Sequence, residues 1–224
     1  MPEVLHMPKD SRGHRTIHQS SNASCRHVVV HDGYKLFTES SLESHVANAL
    51  MAMPAVKSLR EQYPRVSYKN VFNAHATHTF DLFAEMADGV KLAIAVKPWE
   101  VAQAKHFFSE LSRIATFVSP NVADAVILVT DRALTEAQRK LNRAIASACR
   151  DYPSAADAAL AADRAAIGVA ERLTSAVTLD EFARALPRLD GQAFRATLRA
   201  IKAGHLEVEW AHLEIGRTRV RRPH

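Results

Sequence analysis

The first half of the chain alternates between runs with β-strand spacing and runs with helical spacing. Residues 27–30 and 34–37 are β-prone and enclose an Asp-Gly dipeptide at 32–33, which predicts a tight hairpin. Leu42 then begins a series of apolar residues at helical spacing, and Pro54 ends it. We therefore expect a hairpin followed by one amphipathic helix.

Beyond residue 56 the spacing of apolar residues changes to two, as in pleated strands. Residues 79–83 and 90–97 predict two strands, and the Asp-Gly dipeptide at 88–89 predicts a tight turn between them. Pro98 closes the second strand, because proline cannot donate to a sheet ladder. These two strands are therefore predicted to be antiparallel neighbours.

The pattern continues with a helix over 99–115, a short buried strand over 125–130 and a helix over 135–149. The order helix, antiparallel strands, helix, strand, helix predicts a mixed α/β layer architecture. Together with residues from 25 onward, these elements predict one domain over 25–150.

The last third of the chain is rich in alanine and predicts three helices, over 155–173, 178–186 and 192–203. The first of them could break near Gly168. Residues 206–220 could form a terminal hairpin, and helix, helix and hairpin is the outline of a winged helix. We therefore predict a mainly helical, winged-helix-like domain over 151–224.

Residues 1–24 contain many Ser, His, Lys and Arg residues and no apolar period, so they predict a flexible tail. Of the 224 residues 47% are hydrophobic, which is enough for a core, and the formal net charge is +5. A basic balance of this kind suits a polyanionic partner such as nucleic acid.

The two cysteines, Cys25 and Cys149, lie far apart in the sequence, so they indicate neither a zinc site nor a set of disulfide bonds. His75 and His78 have a spacing seen in metal sites, but two loop or edge histidines are the favoured interpretation, since no further Cys or His completes a zinc set. No apolar run approaches the roughly 20 residues that span a bilayer, and no secretory signal begins the chain. We expect a cytoplasmic protein without a membrane partner.

Three side chains suggest metal-dependent chemistry. Asp81 and Lys97, on the two predicted neighbouring strands, can meet on one edge of the sheet, and Glu43 on the preceding helix could pack against that edge. Two carboxylates suit hard Mg²⁺, which requires oxygen ligands and keeps several waters. Such a metal stabilises charge on a phosphate and acidifies a bound water, while a lysine can position that water.

Five short segments carry a family resemblance, and they occur in the same order as in TnsA-like endonucleases of the PD-(D/E)xK superfamily. They are Ser41-Leu42-Glu43, Gln62-Tyr63-Pro64, Thr79-Phe80-Asp81, Ile94-Ala95-Val96-Lys97-Pro98 and Val126-Ile127-Leu128-Val129-Thr130-Asp131. The resemblance covers roughly residues 41–131 and implies a restriction-endonuclease-like mixed sheet flanked by helices. It assigns catalytic roles to Glu43, Asp81 and Lys97, and it assigns the metal to Glu43 and Asp81.

The resemblance departs from the family pattern at two positions. Phe80 stands where the family has proline, which matters little to the chemistry. Ala95 stands where the family has Glu or Gln, so one expected oxygen ligand is missing. Glu85, Glu100 and Glu110 are the candidate substitutes for this ligand.

The resemblance implies a DNA endonuclease that hydrolyses phosphodiester bonds with Mg²⁺, for which Mn²⁺ can substitute. Its expected setting is transposition or mobile-element processing, with double-stranded DNA and a DDE-type transposase as partners. Four C-terminal arginines are predicted to contact DNA phosphates, namely Arg217, Arg219, Arg221 and Arg222. The alternative is a decayed nuclease fold that binds DNA or protein without cleaving.

Overall fold

The computed structural model of the chain describes residues 8–13, 27–31, 33–149, 156–187 and 192–223. These residues form two compact units. The sheet unit comprises the described residues of 8–50 and 55–133, and the helical unit comprises 51–54 and the described residues from 134 onward.

The elements that begin in the sheet unit alternate between strands and helices. In chain order they are β1 (His27–His31), β2 (Tyr34–Thr38), α1 (Ser41–Ala52), β3 (Val56–Glu61), β4 (Arg65–Lys69), β5 (His75–Thr79), β6 (Leu82–Met86), β7 (Lys91–Val96), α2 (Trp99–Ala104), α3 (Phe107–Ala115) and β8 (Ala125–Val129). The later elements are α4 (Glu136–Ala148), α5 (Ala156–Glu171), β9 (Val177–Thr178), α6 (Leu179–Arg184), α7 (Gln192–Lys202), β10 (Glu207–Trp210) and β11 (Arg219–Arg221).

Four strands of the sheet unit form a mixed sheet in the order β3-β6-β7-β8. The pairs β3–β6 and β6–β7 are antiparallel, whereas β7–β8 is parallel. A parallel pair needs a crossover connection, and α2 with α3 provides it. The predicted mixed α/β class, with a mixed sheet flanked by helices, is therefore confirmed.

Strand β7 is buried on both faces, which explains its continuous apolar run. On one face Ala93 and Ala95 pack in a cluster with apolar residues of α3. Those helical residues are Phe107, Leu111 and Ile114, whose spacing places them on one side of the helix. The small alanine side chains allow this helix to lie close to the sheet.

Strands β4 and β5 form a separate two-stranded ribbon. Its backbone pairing continues toward the main sheet, because Phe80 donates to the carbonyl of Pro64 at 3.0 Å and Gln62 donates to the carbonyl of Asp81 at 2.9 Å. The peptide between Tyr63 and Pro64 is cis. The ribbon is thus an extension of the β3–β6 pair.

Two predicted elements are each divided in the structure. The predicted strand 79–83 is interrupted at Phe80 and Asp81, between β5 and β6. The predicted helix 99–115 is interrupted at His106, whose φ of 50° lies in the left-handed region. Neither break is marked by Gly or Pro, and both accompany tertiary interactions: Asp81 bonds to β7, and α3 packs its apolar side on the sheet.

The helical unit matches the predicted helices more closely than the predicted hairpin. Helix α5 is continuous through Gly168, so the break considered there is absent. Strands β10 and β11 pair antiparallel, as the predicted terminal hairpin requires, but the second strand is shorter than predicted because a 3-10 turn at Ile215–Arg217 precedes β11. Strand β9 was not predicted, because two residues are too few to show a period; it pairs with β11 in a sheet of order β10-β11-β9.

Part of the predicted tail is paired with other residues. Lys9 donates its backbone N–H to the carbonyl of Gly33 at 2.8 Å and accepts from Lys35 at 2.9 Å. The other tail residues, 1–7 and 14–24, lie outside the described residues. Among the described residues, no helix combines the length and the apolar character that crossing a bilayer requires.

Candidate functional site

Asp81 lies at the junction where the ribbon meets the main sheet. Its side chain is partly buried, and its Oδ2 atom accepts the backbone N–H of Val96 at 2.7 Å. This hydrogen bond fixes the carboxylate against β7. The side chain therefore occupies a defined position beside the strand that carries Lys97.

The register of β6 and β7 places Ala95 beside Asp81. Leu82 pairs with Ile94 and Phe83 with Ala93, and just before β6 the Asp81 carboxylate accepts from the N–H of Val96, the residue after Ala95. Ala95 therefore lies close to Asp81 along the chain pairing, and its methyl group is buried in the cluster beneath α3.

Lys97 lies two residues beyond Ala95, just after β7. Its backbone N–H bonds to the carbonyl of Val129 at 3.1 Å, which extends the parallel pairing. Its ammonium nitrogen lies 4.3 Å from the centre of the Phe107 ring, a cation–π geometry. No ion pair joins this ammonium to a carboxylate within the described part of the chain.

Glu43 is a buried residue in the first turn of α1. Its carboxylate accepts the backbone N–H of Glu39 at 2.8 Å and the hydroxyl of Ser40 at 2.9 Å, while Ser40 Oγ accepts the N–H of Glu43 at 3.1 Å. This reciprocal arrangement caps the helix. Glu43 consequently has a structural role at the start of α1.

Electrostatic interactions link these residues. The pKa of Asp81 is raised from 3.8 to about 7, chiefly because burial removes water from the carboxylate, and the negative charges of Glu43 and Glu39 add to the increase. The Val96 hydrogen bond and the positive charge of Lys97 oppose it. Glu43 and Lys97 therefore lie close enough for their charges to act on Asp81, and so does Glu39, whose segment shows no strand or helix period in the sequence.

None of the three candidate substitute acids lies opposite Asp81. Glu85 is at the far end of β6 and bonds to Lys57 at 2.8 Å, which lowers its pKa. Glu110 accepts the hydroxyl of Tyr68 at 2.5 Å; burial and this carboxylate together raise the pKa of Tyr68 to about 12. Glu100 is exposed in the first turn of α2.

The donor set fits a hydrated Mg²⁺ ion better than a fully protein-ligated metal. Within the described ranges, no three or more His, Cys, Asp and Glu residues are gathered so that they could hold a metal. Mg²⁺ is commonly held by one or two carboxylates and keeps several waters. Asp81 and Glu43 supply two carboxylates, and a cation would stabilise the ionised form of Asp81, which burial chiefly and the charge of Glu43 in addition disfavour.

The two histidines of the ribbon point to opposite faces. His75 pairs with Lys69 and is exposed, whereas His78 pairs with Val66 on the packed face. His78 lies against Phe80, with ring centres 4.8 Å apart, and burial lowers its pKa. Side chains on opposite faces of a ribbon cannot ligate one ion, so a metal site at this pair is excluded.

The four C-terminal arginines predicted to bind nucleic acid each have an intramolecular partner. Arg217 pairs with Glu214, Arg219 with Glu209 and Arg221 with Glu207, at 2.9, 3.4 and 3.2 Å, and Arg222 donates to the carbonyl of Glu171 at 3.0 Å. These exposed pairs are weak, so they could open for a stronger anion. The positive potential of this surface is nevertheless reduced by three neighbouring carboxylates.

Comparison with models of known protein families and with curated proteins finds no match to the chain. The geometry around Asp81 therefore carries the functional argument.

Proposed function

We propose that the chain is a TnsA-like DNA endonuclease of the PD-(D/E)xK type, which hydrolyses phosphodiester bonds with Mg²⁺ in transposition or mobile-element processing. The observation that carries the proposal is the carboxylate of Asp81, which is fixed against β7 by the Val96 N–H and has its pKa raised to about 7, chiefly by burial and also by the charge of Glu43. A carboxylate perturbed by burial and specific charged neighbours is typical of a functional site.

The architecture agrees with this proposal. A helix, three antiparallel strands and a fourth parallel strand after a helical crossover support a restriction-endonuclease-like fold. In the helical unit, the order α5, β9, α6, α7, β10, β11 supports a winged-helix interpretation. This unit would bind DNA or a partner protein, for which a DDE-type transposase is the candidate.

Each residue has a role that follows from its environment. Asp81 and Glu43 would hold the metal, which supplies Lewis acidity to the phosphate and acidifies a bound water when present. Lys97 would orient that water or offset negative charge, because its ammonium is held near Asp81 by Phe107 rather than by a carboxylate. Burial of Asp81 strengthens each of these interactions.

A second candidate function is supported by Ala95. Its side chain is 1% exposed and packs in the core, in the place where the family pattern has an oxygen ligand. This arrangement favours a nuclease fold that binds DNA or a protein complex without cleaving it.

A nicking assay on supercoiled plasmid with Mg²⁺ or Mn²⁺ distinguishes the two functions. We expect metal-dependent nicking, reduced about 100-fold or more in Asp81→Asn because a metal ligand contributes several kcal/mol to the transition state. Glu85→Gln, on the same strand, is the matched control and should retain activity. Absence of nicking by the intact chain at any metal concentration would support the binding function instead.

A further inference from the structure

The exposed face of the β4–β5 ribbon has an unusual charge distribution. Residues 62–80 contain no Asp or Glu. Arg65 and Lys69 on β4 and His75 on β5 are exposed on one face, together with the hydroxyls of Ser67 and Thr77. Among the described residues neither Arg65 nor Lys69 forms an ion pair, so this face presents positive charge to solvent.

The tip of the ribbon exposes two apolar side chains. Val71 is 67% exposed and Phe72 is 86% exposed, the highest values among the large hydrophobic residues described. The turn that carries them is closed by Asn70, whose Oδ1 accepts the N–H groups of Phe72 and Ala74, both at 3.0 Å. The apolar tip is therefore presented by an ordered turn.

The opposite face anchors the ribbon on the sheet unit. Val66 and Tyr68 are buried in the cluster with α3, and the carboxylate of Glu110 on that helix bonds to Tyr68. Glu110, the acid that bonds to the ribbon, therefore lies on the anchored side. At about 3.3 Å per residue, the five-residue strands carry the tip roughly 16 Å from the ribbon's base.

We propose that this ribbon is a DNA-binding arm, in which Arg65 and Lys69 contact backbone phosphates and Phe72 enters a groove of the duplex against a base step. Proteins with β-ribbons bind DNA through either groove, and in the minor groove an exposed phenylalanine can act as an apolar wedge that unstacks a base step. The inference rests on the proposed function, because the ribbon ends at Phe80 and Asp81, so that DNA held along it would extend toward the candidate site.

Salt dependence of binding tests the phosphate contacts. Affinity of the full chain for a fluorescent 30-base-pair duplex is measured by anisotropy in EDTA over a range of NaCl concentrations. We expect the slope of log K against log [salt] to become less negative by about 2 in Arg65→Gln/Lys69→Gln, since each lost phosphate contact changes it by about 0.9. The control Lys105→Gln/Arg113→Gln removes the same charge from α2 and α3 and should leave the slope unchanged.

The apolar tip is tested separately with Phe72→Ser. We expect about tenfold weaker binding with an unchanged salt slope, because the variant loses stacking and no charge. A 2-aminopurine placed in the duplex should become more fluorescent when the intact chain unstacks it, and this increase should be absent with the variant. Val28→Ser, which alters an exposed apolar residue on β1, is the control and should retain both signals. Thermal unfolding of every variant verifies that it is folded.

Three results would overturn the ribbon proposal: no duplex binding by the intact chain at low salt, an equal slope change in the control double variant, or tighter Phe72-dependent binding to anionic phosphatidylglycerol vesicles than to DNA. Because the measurements use EDTA, they are independent of cleavage. If the intact chain does not nick DNA but the ribbon double variant shows the expected change in salt slope, only the nuclease proposal is contradicted. If the intact chain nicks DNA but the salt slope of that variant is unchanged, only the ribbon proposal is contradicted.

Discussion

Two carboxylates lie near the ends of strand β6, Asp81 just before it and Glu85 near its far end, and their environments are opposite. Asp81, just before the strand, loses water on burial and lies near the negative charges of Glu43 and Glu39, so its pKa rises to about 7. Glu85 is only partly buried and bonds directly to Lys57, so its pKa falls. The sequence places both acids four residues apart, and only their neighbours make them different.

Each acid also has a lysine, but the two lysines act differently. Lys57 contacts Glu85 at 2.8 Å and neutralises it. Lys97 is held over the Phe107 ring and only partly offsets the charge of Asp81. A carboxylate kept without a direct counter-ion destabilises the fold when it ionises, and such a site is typically retained for function.

The largest expected effect that tests this contrast is a change in how the free energy of unfolding depends on pH. In the unfolded chain Asp81 ionises near 3.8, whereas in the folded protein it ionises near 7. The contribution of Asp81 to the free energy of unfolding is therefore fully present below about pH 4. It decreases as the pH rises and is lost above pH 7, and the total decrease is at most about 4 kcal/mol. We expect Asp81→Asn to be more stable than the unaltered chain at pH 8 and similar at pH 4, measured by urea unfolding in EDTA.

Glu85→Gln should change the stability of the protein in the opposite direction to Asp81→Asn. The pKa of Glu85 is lowered on folding, so its stabilising pair with Lys57 is present at neutral pH and is lost as the pH falls through the folded value. The variant should be slightly less stable at pH 7 and equal to the unaltered chain in acid. Equal pH profiles for the two variants would contradict the contrast between the two ends of β6.

A smaller but more specific effect is expected for Ala95→Glu. The new carboxylate would lie close to Asp81 and should increase affinity for Mn²⁺ about tenfold or more, since it supplies the missing oxygen ligand. Without metal, the added repulsion beside Asp81 should lower the unfolding temperature, and Mn²⁺ should restore it. Ala95→Gln is the control for charge: it offers an oxygen without repulsion, so its metal-free destabilisation should be smaller. A Glu variant that Mn²⁺ fails to stabilise would place the metal elsewhere.

The smallest expected effect concerns the lysines. Lys97→Gln removes a charge that lowers the pKa of Asp81, so that pKa should rise further above 7 when followed by NMR titration in EDTA. Lys57→Gln should raise the pKa of Glu85 toward its ordinary value and leave that of Asp81 unchanged. A response of Asp81 to Lys57→Gln alone would show that the two ends of β6 are coupled.

The local pattern of apolar and polar residues was sufficient to predict the long helices and strands. Helices α1, α4 and α7, the hairpin β1–β2 and strand β7 follow from apolar periods, caps and Asp-Gly turns, because these signals act within a few residues. It was also sufficient to nominate Glu43, Asp81 and Lys97, since aspartate is depleted in strand interiors. The breaks at Asp81 and His106 left no such signal, because each accompanies a bond or packing contact with a distant segment.

The amino-acid sequence by itself determined the element types, the positive charge and the candidate side chains. The tertiary structure alone decided that Ala95 is buried beneath α3 and that Glu39 adds its charge at Asp81. It also decided that the C-terminal arginines are paired, while Arg65 and Lys69 face solvent without a paired acid among the described residues. The physical reason is that burial, register and counter-ions are set by residues far apart in the chain, whereas periodicity reports only on near neighbours.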